Sequence, residues 1–241
     1  MTNLVPLQVT AHLESGLSSS NPWGVALDGL LAAQLWSEHK ASLRAAGTKP
    51  PDLHTQDNPL DLDLPLARCT HAGANLWHWA ATTAYPVDSD PTRPPEARYW
   101  AAYIDQRRAA TIATPPTSIS PGRGRWRLRR IPTLVTICTT VVWHAVGDVH
   151  AIEELITPLA AIGKRRGTGE GRVLRWEVTP RPDLDAHTAS HLHPNGTLGR
   201  PTPPACLTSD HEPAQGIAGL RPPYMHRARQ HQLCLPAPLE T

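Results

Sequence analysis

Two short segments hold the residues best suited to chemistry. The first runs Ile162-Gly-Lys-Arg-Arg-Gly-Thr-Gly-Glu-Gly-Arg172. Gly163, Gly167, Gly169 and Gly171 allow positive φ and close approach of the backbone to a ligand. Lys164, Arg165, Arg166 and Arg172 supply charge, and backbone amides backed by cations make a phosphate nest. It is not a Walker loop, because no Gly-Lys-Ser/Thr opens a helix. Nor is it the dinucleotide fingerprint, which follows a strand and opens a helix, whereas here a helix precedes and a strand follows. The second segment is Arg123-Gly-Arg-Trp-Arg-Leu-Arg-Arg130. As a strand, its period of two puts Arg123, Arg125, Arg127 and Arg129 on one face, with Trp126 and Leu128 on the other. Such a ribbon suits a phosphate backbone, and Trp126 is placed to stack on a base.

The histidines offer a weaker signal. Cys69, His71 and His78 are close in sequence, and His187 and His191 share a helical spacing. No paired Cys-x-x-Cys accompanies them and the glutamate of His-Glu-x-x-His is missing, so they read as surface or capping histidines and no metal is expected. His12 and His144, both on strand-like runs, are the positions that could serve an endoribonuclease as general base. Ser18-Ser19-Ser20 lacks the context of a nucleophile elbow and reads as loop.

Charge distribution supports a polyanion partner. Of the 23 Lys/Arg and 21 Asp/Glu in 241 residues, six bases and eleven acids lie before Gln106, which leaves the basic excess to the rest. Gln106–Gly147 contains no acid at all, yet carries Arg107, Arg108, Arg123, Arg125, Arg127, Arg129 and Arg130. A clustered basic stripe of this kind is an electrostatic footprint for nucleic acid. No apolar run is long enough to span a bilayer, and Met1-Thr-Asn-Leu-Val-Pro has no secretory pattern. The four scattered cysteines read as reduced thiols, with Cys138 as a small core residue, and the expected location is the cytoplasm. The 26 prolines imply long irregular connections.

These segments need a scaffold. Val5–Glu14 alternates apolar and polar residues as a strand does, and Leu27, Leu30, Leu31, Leu35 and Leu43 recur at helical spacing. Asp28 falls in the first turn, where the helix dipole favours an acid. Gly47 and Pro50-Pro51 stop that helix. Asn75–Tyr85 reads as a strand, Pro94–Ala110 as a helix-compatible run and Leu134–Val146 as a central strand. Asp148–Ile162 reads as a short helix and Val173–Val178 as a strand. The order strand–helix–strand, strand–helix–strand predicts an α+β, ferredoxin-like core.

The strand Leu7–Leu13, then Leu27-Asp-Gly-Leu-Leu-Ala32, and the basic run ahead of Val142-Trp-His-Ala-Val-Gly147 together resemble a known family. That family is the type IV CRISPR-associated RAMP subunit of the Cas-five-like class, the Csf-three type. The loop Gly163–Gly171 and its following strand are similar to the glycine-rich segment shared by RAMP proteins, and Gly219-Leu-Arg-Pro-Pro-Tyr224 is compatible with a late motif. The resemblance implies an RRM-type RAMP core over 1–180, with a basic thumb-like hairpin inserted near 106–133 and a Pro/His-rich extension over 181–241. It also implies a non-catalytic subunit, without cofactor, that binds the 5′ handle of the guide RNA (crRNA). The implied partners are Cas-seven-like backbone subunits, which it would cap, and a large-subunit-like protein, with target nucleic acid nearby and no membrane. A RAMP endoribonuclease that processes precursor guide RNA is the alternative. A duplex-DNA regulator fits less well, because no helix-turn-helix pattern or basic recognition helix is present.

Overall fold

The fold is seen in a computed structural model, which describes residues 3–52, 56–90, 92–102, 106–112, 114, 120, 122, 123, 127–207 and 213–239. In chain order the elements are β1 (Val5–Leu13), α1 (Leu27–Ala45), β2 (Arg68–Cys69), β3 (His78–Trp79), β4 (Tyr85–Pro86) and β5 (Glu96–Ala102). There follow α2 (Gln106–Ala110), β6 (Arg129–Val135), β7 (Thr140–Gly147), α3 (Val149–Ile156) and β8 (Val173–Pro180). The C-terminal segment adds α4 (Ala186–His191), β9 (Gln215–Gly219) and β10 (Gln230–Cys234).

The main sheet has the order β4-β7-β1-β8 with antiparallel neighbours. Counting its strands along the chain gives 2-3-1-4, the ferredoxin-like arrangement that the element order predicts. The alternation of β1 decides which face is covered. Leu7, Val9, Ala11 and Leu13 point to one side and pack with Leu27 and Leu31 of α1, Ile152 and Ile156 of α3, and Val141 and Trp143 of β7. Leu31 is fully buried there, so α1 meets the sheet through the face its leucine spacing marks. On the opposite face α4 sits over β7, with Ala189 packed against Ala80 and Val146. The C-terminal segment therefore forms a third layer.

Four local expectations are corrected. Glu96–Ala102 is a strand, not helix, because it pairs along its whole length with β6, and its Tyr and Trp suit a pleated surface. Leu134–Val146 is two strands: Leu134 and Val135 end β6, and β7 begins at Thr140 in another sheet. The break is pinned by a bridge from Leu17 to Thr136 and by the Asp88 carboxylate, which accepts from the amides of Thr139 (2.9 Å) and Thr140 (3.1 Å). Asn75–Tyr85 divides into a 3-10 turn at Ala74–Leu76 and the short strands β3 and β4. Helix α3 starts where expected, with Asp148 accepting from the Ala151 amide at 3.0 Å, but stops at Ile156. Thr157 keeps helical backbone, with its amide donating to Glu153 O, but Pro158 has no N–H to continue the ladder.

Asp28 lies in the first turn of α1, as its position in the sequence predicts, and it has further partners there. It is fully buried, accepts from the Tyr224 hydroxyl and the Gly29 amide, and lies 3.5 Å from the Arg200 guanidinium. Burial pushes its carboxyl above the ordinary range, while Arg200 pulls the other way. Arg200 also donates to the carbonyls of Trp79, Ala81 (2.7 Å) and Leu220 (2.8 Å). Cys138 is a core residue, and burial pushes its thiol up to about 12.

Arg200→Ala leaves a buried carboxyl without its cation and should cost about 3–5 kcal/mol, read from urea denaturation. His144 and His193 are both buried, and burial pushes both imidazoles down, His193 to about 4. The unfolded rings titrate near 6.5, so the unfolded state gains protons first and stability should fall as pH drops from about 7 to about 5.5. Unfolding midpoints across that range should show the decline, and His193→Gln should lessen it.

Candidate nucleic-acid interface

The glycine-rich loop is anchored at both ends before it can present anything. Ala161 bridges Arg172, the Ile162 amide donates to Gly171 O at 2.9 Å, and the Lys164 amide donates to Ser18 O at 2.7 Å. Two glycines serve this closure. At Gly163 (φ 76°) a Cβ would sit 2.3 Å from Ser18 O, and at Gly171 (φ 64°) it would sit 2.0 Å from Ile162 O. Gly167 and Gly169 instead face open space. Between them the chain makes a 3-10 turn at Arg166–Thr168, with Arg165 itself at φ 62°. The amides of Thr168 and Gly169 donate to Arg165 O and Arg166 O. With these and the Lys164 amide already used, the loop offers its side chains more than the unbroken amide nest its glycines suggest.

The loop is one half of a composite surface, and the hairpin β5–β6 is the other. Register places Trp100 opposite Ile131 and Arg98 opposite Thr133, so Arg98 and Trp100 share one face. That face meets the loop. Arg98 Nη1 donates to Glu170 Oε2 at 2.8 Å, and its Nη2 donates to Ser15 O at 3.2 Å. The Arg165 guanidinium lies 4.6 Å from the Trp100 ring centroid, a cation–π contact. On the other face Arg130 lies 4.3 Å from the centroid of Tyr99, whose side is exposed to solvent. Arg98, Tyr99 and Trp100 are thus site residues that the sequence reading missed. Their Arg-Tyr-Trp run was visible, but a helical reading scattered it around an axis.

The cations named from sequence separate by environment. Lys164 and Arg166 are exposed at the loop tip, and Arg127 and Arg129 are exposed where the chain enters β6. Arg123 and Arg107 are exposed as well, Arg107 on α2, whose backbone also includes Arg108. Arg172 is turned to Glu14 at 3.3 Å. Gly124, Arg125 and Trp126 lie outside the described residues, so the four-arginine alternation is seen only at its end, where Arg129 and Arg130 occupy opposite faces of β6. The strand partner of this basic run is Glu96–Ala102, which moves the start of the hairpin upstream of the position near 106 expected from sequence.

The two candidate general bases differ in access. His144 is 2% exposed, with Nδ1 3.2 Å from Leu192 O. His12, partly exposed on β1, lies 3.5 Å from Glu177 Oε2 and 3.1 Å from Arg175 Nη2.

A family model described as CRISPR type IV associated protein Csf3 matches residues 5–236. The chain belongs to the Csf3 family. The match takes in β1, the hairpin, the glycine-rich loop and the C-terminal layer together, so the type IV CRISPR resemblance holds for nearly the whole chain. No curated protein matches it. Among the described residues, no helix of this Csf3 family member is long and apolar enough to cross a membrane.

The two kinds of loop glycine should respond differently to a methyl group. Gly171→Ala forces a clash at a left-handed position and should cost more than about 1 kcal/mol, whereas Gly167→Ala should be neutral or stabilising by up to about 1 kcal/mol. Thermal unfolding of both variants checks the division.

Proposed function

We propose that this Csf3 family member is a non-catalytic RNA-binding subunit of a type IV CRISPR ribonucleoprotein. It holds the 5′ handle of the guide RNA and caps the filament of Cas-seven-like subunits. The observation that carries this reading is the meeting of two basic segments, distant in sequence, on one surface. Arg165 stacks on Trp100 and Arg98 pairs with Glu170, so the tip cations Lys164 and Arg166 stand beside the hairpin that carries Arg127, Arg129 and Arg130.

Single-stranded RNA suits such a surface. Its phosphates take the flexible cations, and on the other face of the hairpin the Tyr99 ring, 57% exposed beside Arg130, offers an unstacked base an aromatic plane. Target sequence is left to guide pairing, since protein in these complexes reads backbone and shape. The burial of His144 supports a binding role over cleavage, because a general base must reach the proton it abstracts. The hairpin edges and the exposed Leu134 and Leu128 offer a surface for a neighbouring subunit.

Replacing Lys164, Arg166, Arg127 and Arg129 together by Ala should weaken binding of a single-stranded repeat RNA. It should also flatten the dependence of log K on log salt by about 2–3, at about 0.7 per phosphate lost. Binding curves at several salt concentrations check both. Wild-type affinity with a wild-type slope would remove these cations from the interface.

A further inference from the structure

We infer that Cys69, His78, His191 and Cys206 form a structural zinc site that fastens the C-terminal layer to the ferredoxin-like core. One ligand atom from each lies within 4.8 Å of the other three. The sulfurs of Cys69 and Cys206 are 3.8 Å apart, and the Nε2 atoms of His78 and His191 are 3.0 Å apart. Tetrahedral zinc with Zn–S near 2.3 Å and Zn–N near 2.0–2.1 Å sets sulfurs about 3.8 Å apart and nitrogens about 3.3 Å apart. The two like pairs therefore already stand close to the edges of that tetrahedron, and the remaining gap is within reach of side-chain rotation.

Hydrogen bonding at the far side of each ring makes the case stronger. His78 Nδ1 is 3.3 Å from Leu76 O, and His191 Nδ1 is 3.0 Å from His187 O. A carbonyl oxygen only accepts, so both Nδ1 atoms carry the hydrogen. In a neutral imidazole the other nitrogen is then a bare acceptor. Two bare lone pairs consequently face each other at 3.0 Å in a buried setting, where His78 is fully enclosed and His191 is 2% exposed. A shared cation removes that repulsion. Ring nitrogens anchored to backbone carbonyls in this way also fix the orientation a metal needs. Two thiolates balance the charge of a divalent ion, which leaves the buried site neutral, and a mixed sulfur and imidazole set selects zinc over hard cations.

The four residues come from three parts of the chain. Cys69 and His78 lie on the β2–β3 hairpin, His191 ends α4, and Cys206 closes the 3-10 turn Pro204–Cys206. The sulfur pair is separated by 137 residues and the imidazole pair by 113. That separation explains why no metal motif is legible in the sequence. All four positions are filled by protein, the mark of a structural site and not a catalytic one.

The test uses the full chain, expressed with zinc in the medium and purified without chelator. Elemental analysis should give about one zinc per chain, and Cys206→Ser or His78→Gln should lose it while Cys138→Ser and Cys234→Ser keep it. Cobalt added to the metal-stripped wild type should show the d–d absorption of a tetrahedral ion with a thiolate charge-transfer band, a readout that needs no variant to fold. Less than about a tenth of a zinc per chain together with no such spectrum would overturn the site. A Cys69–Cys206 disulfide in freshly purified protein, found by mass mapping without reductant, would overturn it as well.

Discussion

Arg200 occupies the junction of three parts of the chain that sequence keeps far apart. Its guanidinium, 2% exposed, touches Asp28 in the first turn of α1, the carbonyls of Trp79 and Ala81 beside the core sheet, and Leu220 O at the end of β9. A buried cation is tolerable only where acceptors replace its water, and removing one partner leaves the others uncompensated. The contact therefore fixes the C-terminal segment to α1 and to the edge of the sheet together. Two further arginines repeat the device nearby: Arg221 donates to Trp77 O and Asp61, and Arg229 to Pro59 O and Asp61. The proline-rich connection between α1 and β2 is held against the C-terminal layer by these bonds, with little regular structure of its own.

The composite basic surface has its own attachment to the sheet. Segment Gly16–Ser18 is the mechanical link there. Leu17 bridges Thr136 just beyond β6, and Ser18 O accepts from Lys164 at the start of the glycine-rich loop. Hairpin and loop are thus tied to one short stretch that leaves β1, which itself runs through the centre of the sheet. The central strand thus reinforces the direct contacts that join hairpin and loop, Arg98 with Glu170 and Arg165 with Trp100.

What the sequence made legible was what short-range pattern determines. β1 and α1 were readable because their apolar positions recur at periods of two and 3.6, and the core confirms the faces those periods name. β8 and the start of α3 were readable for the same reason, and the glycine loop between them was placed correctly. β5 was not, since its pairing partner lies beyond a long connection and no local period forces Glu96–Ala102 into either state. The composite surface was legible in part: the cations of loop and ribbon were named, but not Arg98 and Trp100 of β5, which bring them together. The histidine and cysteine cluster was hidden because its members meet only after the third layer docks.

Arginine performs two opposed tasks in this chain, and the neighbouring acids separate them. Arg200, Arg221 and Arg229 lie in the half of the sequence that holds the basic excess, yet they pair with Asp28 and Asp61 from the acidic first half. Part of the charge asymmetry is therefore a folding device, with the C-terminal cations neutralised by the N-terminal acids they pack against. Gln106–Gly147 stands outside this exchange. It has no acids of its own, and Arg127, Arg129 and Arg130 project at the hairpin without a carboxylate partner in its sequence. Once the internal pairs are set aside, the hairpin and the loop tip still present Arg127, Arg129, Lys164 and Arg166 to solvent. Attraction of a polyanion depends on that residual field and not on the net charge of +2.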